Sequence, residues 1–322
     1  MKKSLLFFML ILSVRILSGQ SFHFVVTGDT HMYRYGAGDS LHRTFREVLL
    51  PFLIGGDPDG PGDFLVVAGD MDPFFRVRTS IASVLGYDHP FYTVMGNHDV
   101  GGTNKRSDLF PACNWQNAFG IILYNRGHLR DIVRWGPDVP SPELAGSYEK
   151  DGIRWVTYYD SAGIRGARYT TYSFDHGNAH FVVLDLYAGQ TWEMREDGRI
   201  WTAMYDWLEK DLEATRKEHI FVFAHEPVWA GTSLNDRPVS KETFWDLLVK
   251  HKVVAYFCGH RHQYTIGNHR GVWEIVSSCA FDTSCVHYTQ VFINGPEVGL
   301  KTYGYDNGRM HLVDERTLRD LR

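Results

Sequence analysis

The chain has 322 residues, 44% of them hydrophobic and 22% charged, which excludes a low-complexity or disordered protein and provides for a sizeable core. A net charge of −5 excludes a general polyanion binder, because nucleic-acid proteins carry a basic surplus, so no nucleic-acid surface is expected. Sixteen histidines direct attention to metal or acid–base chemistry.

In chain order, Lys2 and Lys3 precede a compact apolar run, Leu5 to Leu12, and Ser18-Gly19 supplies small residues for cleavage. This pattern predicts a signal peptide over residues 1–19 and one catalytic domain over 20–322, starting near Gln20 or Ser21 in a secreted or periplasmic location. Arg15 makes the apolar run too short for an ordinary membrane span, so no span is expected once the leader is removed. An uncleaved anchor or a structural helix is the alternative.

"FHFVV" (22–26) reads as a buried strand, followed by an amphipathic helix around Leu41–Leu53. "FLVVA" (64–68), a helix near Val77–Leu85 and "FYTVM" (91–95) continue the pattern. Strand–helix–strand order at this spacing predicts βαβ units with a parallel sheet. Residues 100–165 read as irregular. "YTTYSF" (169–174) and "AHFVVLDL" (179–186) predict a hairpin turning at Asp175-His176-Gly177-Asn178. An amphipathic helix (200–215), a strand (220–224), a helix (240–251) and a strand (253–258) come next, and the remainder alternates like antiparallel β. Of the four cysteines, Cys258 reads as a buried apolar residue, while Cys279 and Cys285 could close a disulfide. With no C-x-x-C pair, thiolate zinc is not expected.

The strand exits carry the chemistry. They read Gly28-Asp29-Thr30-His31, Gly69-Asp70-Met71-Asp72, Gly96-Asn97-His98-Asp99, Ala224-His225-Glu226-Pro227 and Gly259-His260-Arg261-His262. Ligands gather beyond the carboxyl ends of strands in α/β sheets, and glycine permits close backbone approach there. Taken alone, each block is an ordinary turn or a core histidine. Five in order, each after an apolar run, point to one metal cage built from five loops.

This ordered set resembles the calcineurin-like metallophosphoesterase superfamily, whose pattern is D-x-H, G-D, G-N-H-[DE], a lone His and G-H-x-H. The resemblance spans roughly residues 22–265. It implies an α/β fold, a two-sheet β-sandwich flanked by helices, with a dinuclear site at the strand carboxyl ends. By motif position, Asp29, His31 and His262 would hold one metal, Asn97, His225 and His260 the other, and Asp70 would bridge both. His98 would be the acid facing substrate, oriented by Asp99. The resemblance implies two divalent or trivalent transition-metal ions, Mn, Fe, Zn or Co, which suit oxygen and imidazole donors without thiolate. Hydrolysis of a phosphomonoester or phosphodiester by a metal-bridging hydroxide would follow. Purple acid phosphatases, a branch of this superfamily, carry a tyrosine ligand three residues after the bridging Asp. Here Pro73 stands in that position, so no tyrosinate ligand is expected.

"GDPDGPGD" (56–63) reads as a surface loop, since its carboxylates lack calcium-loop spacing. Arg126, Arg130 and Arg134 with Trp115 and Trp135 read either as a substrate rim or, more simply, as a solvated face over aromatic packing. The competing functional class is a catalytically silent metal-binding or interaction protein on the same scaffold. Such a relative would be expected to lose His98 or Asp70, and both are present.

Overall fold

A computed structural model describes residues 21–30, 43–100, 111–137, 148–150, 153–155, 169–188, 198–231, 234–277 and 279–321. The predicted signal peptide and His31 lie outside these residues.

Among the described residues, strands β1 (Ser21–Thr27), β2 (Leu65–Val67) and β3 (Phe91–Thr93) are parallel neighbours in one sheet. The antiparallel strands β13 (His287–Asn294), β14 (Glu297–Asp306) and β15 (Arg309–Asp320) continue it, giving the order β15-β14-β13-β1-β2-β3. The second sheet is built from β4 (Arg134–Trp135), β7 (Tyr172–His176), β8 (Ala179–Val183), β9 (His219–Phe223), β10 (Ala255–Cys258), β11 (Tyr264–His269) and β12 (Val272–Ser277). Its order is β11-β12-β10-β9-β8-β7-β4, with β8, β9, β10 and β12 parallel. Strands β5 (Tyr148–Lys150) and β6 (Ile153–Trp155) form a separate small pair.

Period-two alternation assigns each strand residue to a layer. Phe24, Val26, Phe64 and Val66 meet Phe181, Phe221, Phe223 and Phe257 between the sheets. The Phe24 ring stacks on Phe64 with centroids 5.1 Å apart and meets Phe181 edge-on at 5.2 Å. Residues of opposite parity face helices. Val25, Leu65 and Val67 pack under α1 (Leu50–Gly55), α2 (Phe74–Leu85) and α4 (Pro111–His128). Val182, Val222, Tyr256 and Cys258 pack under α5 (Thr202–Ala214) and α6 (Lys241–Lys250). Burying both faces explains why these strands read as continuous apolar runs. The two-sheet sandwich expected from the resemblance is therefore the fold.

Some elements differ from the sequence reading. The first helix opens with a wide turn, Phe45–Leu49, before α1, because Pro51 has no amide hydrogen for the regular ladder. Helix α4 lies inside the stretch read as irregular. The hairpin turn is shorter than expected. Asp175 and His176 remain in strand register opposite His180 and Ala179, and only Gly177-Asn178 turn, with Gly177 at φ +54°. Cys279 and Cys285 are bridged, and Cys258 is a buried free thiol.

Candidate metal centre

β1, β2, β3, β9 and β10 all release their chains at one edge of the sandwich. Asp29, Asp70, Asn97, His225 and His260 follow these ends within a few residues. The third block forms α3 (Asn97–Val100), a single turn. The ligand-type atoms of Asp29, Asp70 and His225 lie within 4.8 Å of one another, and all three residues are buried. Asn97 Oδ1 sits 3.0 Å from His225 Nε2 and 3.2 Å from His260 Nδ1. Asp70 Oδ2 is 3.3 Å from His225 Nε2, and Asp29 Oδ1 is 3.3 Å from His262 Nε2. Six of the seven expected ligand positions are thereby brought together. The seventh, His31, lies outside the described residues.

The backbone shows what this convergence requires. Asp29, Asp70, His260 and His262 have φ of +50°, +55°, +67° and +51°, a left-handed conformation that L-residues avoid. Strain of this kind persists where surrounding structure over-determines it, commonly at functional sites. Of the glycines that precede these blocks, Gly69 at φ +94° also takes this region, whereas Gly28, Gly96 and Gly259 do not. Gly259 serves close approach, since a Cβ there would lie 2.6 Å from Asp29 Oδ2 and 2.8 Å from Ala68 O.

Hydrogen bonds orient the donors. The His225 Nδ1–H donates to Ala68 O at 2.7 Å, turning Nε2 toward the cluster. Asp29 accepts the His260 backbone N–H at 3.0 Å. Asp70 Oδ1 accepts the His98 backbone N–H at 2.9 Å, which ties the half-buried His98 to Asp70.

Asp99 has a task different from the one expected. Its carboxylate accepts N–H groups from Asp70, Met71 and Gly96 at 2.9 Å each, and from the Asn117 amide at 2.5 Å. It braces the loop that carries Asp70 and is not hydrogen-bonded to the His98 ring. Asn117, on α4, also accepts the Phe74 N–H and so joins that helix to the site. Beside the centre, the buried Glu226 accepts the Tyr187 hydroxyl at 2.7 Å and the Gly198 N–H at 2.5 Å. Neither Asn117 nor Tyr187 stands next to a motif block, so sequence spacing offered no signal for them.

Burial alone would depress the His225 imidazole, but the charge and hydrogen bond of Asp70, then Asp29, hold it up at about 10. Burial and the His225 charge push His260 down to about 4. Burial, with Asp70 beside it, pushes Asp99 up to about 7. Burial opposes ionisation of Asp29, yet His262 and His225 keep its carboxyl below the usual range. Two carboxylates, an amide oxygen and three imidazoles gathered in this way are oxygen and nitrogen ligands that fit a multivalent cation. Pro73 precedes the first turn of α2 and offers no ligand atom, consistent with an Asp/His/Asn donor set.

Nearby alternatives fall away. Arg134 is engaged with Ser173, Asp175 and Asp211, Arg130 pairs with Asp131, and Trp135 packs edge-on to Tyr169 and Tyr172. With Arg126 over the Tyr169 ring, these contacts are those of a solvated face over aromatic packing. In the 56–63 loop, Asp57 accepts the Asp59 N–H and the Tyr288 hydroxyl, Asp59 pairs with Lys301, and Asp63 with His176.

A two-sheet α/β sandwich with Asp, Asn and His side chains gathered at its strand ends defines a metal-dependent hydrolase scaffold. The family model for calcineurin-like phosphoesterases matches residues 22–264, well over half of the chain, and the chain belongs to that family. Tartrate-resistant acid phosphatase type 5 of Rattus norvegicus is 29% identical over 111 residues, covering 33% of this chain and 34% of that protein. The Homo sapiens protein of the same name is 29% identical over 131 residues, covering 38% and 40%. The matches thus span between about a third and two fifths of these curated relatives. Among solved structures, purple acid phosphatase PPD1 from yellow lupin (Lupinus luteus) seeds has a TM-score of 0.55 at 14% identity, over 94% of this chain and 55% of that one. GAP50, the anchor in the inner membrane complex of Plasmodium, has a TM-score of 0.52 at 12% identity, over 94% and 90%. At these identities the structural likeness concerns the fold alone. No described helix is long and apolar enough to cross a membrane.

Proposed function

We propose that the chain is a dinuclear-metal phosphoric ester hydrolase. The observation that carries this reading is the convergence of Asp29, Asp70, Asn97, His225, His260 and His262 from five strand ends. Asp29 and His262, with His31, would hold one ion, Asn97, His225 and His260 the other, and Asp70 both. Bound ions of the Mn, Fe, Zn or Co type would supply Lewis acidity and a water deprotonated near neutral pH.

The chain's own residues supply the rest. His98 shares the loop of Asn97, and its backbone is tied to Asp70. An imidazolium N–H of His98 would donate its proton to the leaving ester oxygen, sparing the alcohol from departing as an alkoxide. Asp99 contributes by fixing the Asp70 backbone, while Ala68 O sets the His225 tautomer. A catalytically silent metal-binding or interaction protein is the competing reading, and the presence of His98 beside Asp70 argues against it.

His98→Ala tests both halves. Metal content should be retained, because Asn97 is that loop's ligand. General-acid help contributes about 10²–10⁴-fold. kcat/KM should therefore fall much more for an alkyl phosphoester than for a nitrophenyl ester, whose leaving group hardly needs the proton. Equal losses for the two leaving groups would remove the general-acid role. A metal-loaded wild type inert toward mono- and diesters alike would remove the hydrolase reading.

A further inference from the structure

We propose that Arg261 is a substrate-binding residue that favours a phosphomonoester dianion over a phosphodiester monoanion, an inference that rests on the phosphoesterase reading above. Arg261 stands between His260 and His262, whose ring nitrogens face Asn97 and Asp29 at 3.2 and 3.3 Å. Both flanking residues are left-handed, so the turn aims two imidazoles inward and leaves Arg261 exposed. Solvent enters at this end of the cluster. The His262 side chain is 28% exposed, whereas that of Asp29 is 0%.

The guanidinium has a built seat. Gly231 lies beneath it, at φ +63°, and a Cβ there would be 3.1 Å from Nη2 and 3.2 Å from Cζ. Any side chain at 231 would displace the guanidinium. The loop bearing Gly231 continues from His225 and is itself pinned. Val228, Trp229 and Ala230 donate their backbone N–H groups to the Glu274 carboxylate at 2.6, 3.0 and 2.8 Å. Glu274 is 2% exposed, and these amides occupy both of its oxygens. The side chain of Arg261 has no hydrogen bond or ion pair among the described residues. Among the described residues it is therefore a cation with no acidic partner, lying against the Gly231 loop and joining the last two ligand loops beside the partly exposed His262.

A guanidinium carries only donors, stays charged at any working pH and matches phosphoryl oxygens as a fork. A phosphomonoester carries about −1.5 to −2 charges near neutrality, while a diester carries a single one. The monoester also keeps three unesterified oxygens and the diester two. Both differences favour the monoester at a site with one extra cation.

The test uses the metal-loaded full chain as wild type, Arg261→Ala, Arg261→Lys and Gly231→Val. Calorimetric titration with inorganic phosphate in its dianionic form is compared with titration with dimethyl phosphate. kcat/KM is measured in parallel on 4-nitrophenyl phosphate and bis(4-nitrophenyl) phosphate, and metal content is checked by elemental analysis. For Arg261→Ala, phosphate binding should weaken roughly 10–100-fold, the range of a lost charge-assisted hydrogen bond, and dimethyl phosphate binding by less than about threefold. KM for the monoester should rise in parallel while metal content stays unchanged. Arg261→Lys should recover part of the loss, and Gly231→Val should shift the same ratio in the same direction. Equal weakening of both ligands, or unchanged phosphate binding, overturns the assignment. If the wild type binds phosphate but hydrolyses neither ester, the phosphoesterase reading fails, and the ratio of the two affinities still decides the role of Arg261.

Discussion

His225 and His180 are both fully buried, and each has aspartate at its ring, but their surroundings close in different ways. His180 lies in the second sheet between Asp175 at 2.7 Å and Asp211 at 2.9 Å. Ser173 donates to Asp211 at 3.0 Å, and Arg134 lies 3.4 Å from Asp175 and 3.5 Å from Asp211. Here each carboxylate meets a donor, and the local backbone is ordinary. Around His225, Nδ1 is committed to Ala68 O, while Nε2 meets Asn97 at 3.0 Å and Asp70 at 3.3 Å, with Asp29 within 4.8 Å of the same cluster. Four of the surrounding residues are also in left-handed backbone. A buried histidine beside carboxylates is thus no sign of a metal by itself. The telling feature is carboxylate, amide and imidazole groups from five strand ends gathered on a backbone bent to hold them.

Substitution at each pole separates the two kinds of site. The largest effect belongs to Asp70→Asn, which removes a buried negative charge from the cluster with Asp29 and His225. Bound transition metal should fall by elemental analysis and turnover should vanish, while the thermal transition stays cooperative. Activity retained with full metal content would break the contrast. His180→Ala should act in the opposite sense. Removing one partner from a buried charged cluster costs about 3–5 kcal/mol, so the denaturation midpoint should drop, while kcat/KM and metal content of the folded fraction remain. A selective loss of metal in this variant would show that the poles are coupled.

The smallest effect is a pH slope. Burial pushes the Asp185 carboxyl up to about 6, against hydrogen bonds from Thr170, Tyr187 and Ala188. The folded state therefore holds this proton more tightly than the unfolded chain does. Its stabilising contribution is full below about pH 4 and is lost as pH rises through about 6, at most about 3 kcal/mol in total. Asp185→Asn should flatten that part of the stability–pH curve. An unchanged slope between those pH values would assign it to other groups.

Much of the centre was legible because its ligands come directly after buried strands, where an apolar run followed by glycine and a polar residue stands out. The two-sheet fold followed from the same runs and the resemblance they carry. The supporting side chains were not legible. Asn117 and Asn125 lie on the buried face of α4, where Asn117 serves Asp99 and Asn125 serves Thr93 and Tyr169. Polar residues on the inward face erased the periodicity that would have marked this helix. The task of Asp99 was also hidden, because adjacency to His98 suggested a side-chain partner whereas the fold turned its carboxylate to backbone amides across the site. For Arg261, the decisive neighbour is a glycine thirty positions upstream, a contact that only the folded loops create.

The place of β1 has a consequence for the order in which the molecule can be assembled. This first strand is not at an edge. It pairs with β2 on one side and with β13 on the other, Val25 opposite Leu65 and Phe24 opposite Val291. The loop that follows it is held from the same distance, with the Ala280 N–H donating to the carbonyls of Gly28 and Asp29. During synthesis, then, β1 and the loop of Asp29 are made well before β13, the strand that encloses them. One edge of β1 stays open until β13 is available. Loop closure of that length is slow and leaves strand edges exposed meanwhile. A chain that stops short of β13 lacks the pairing that holds β1 and the loop of Asp29 in place.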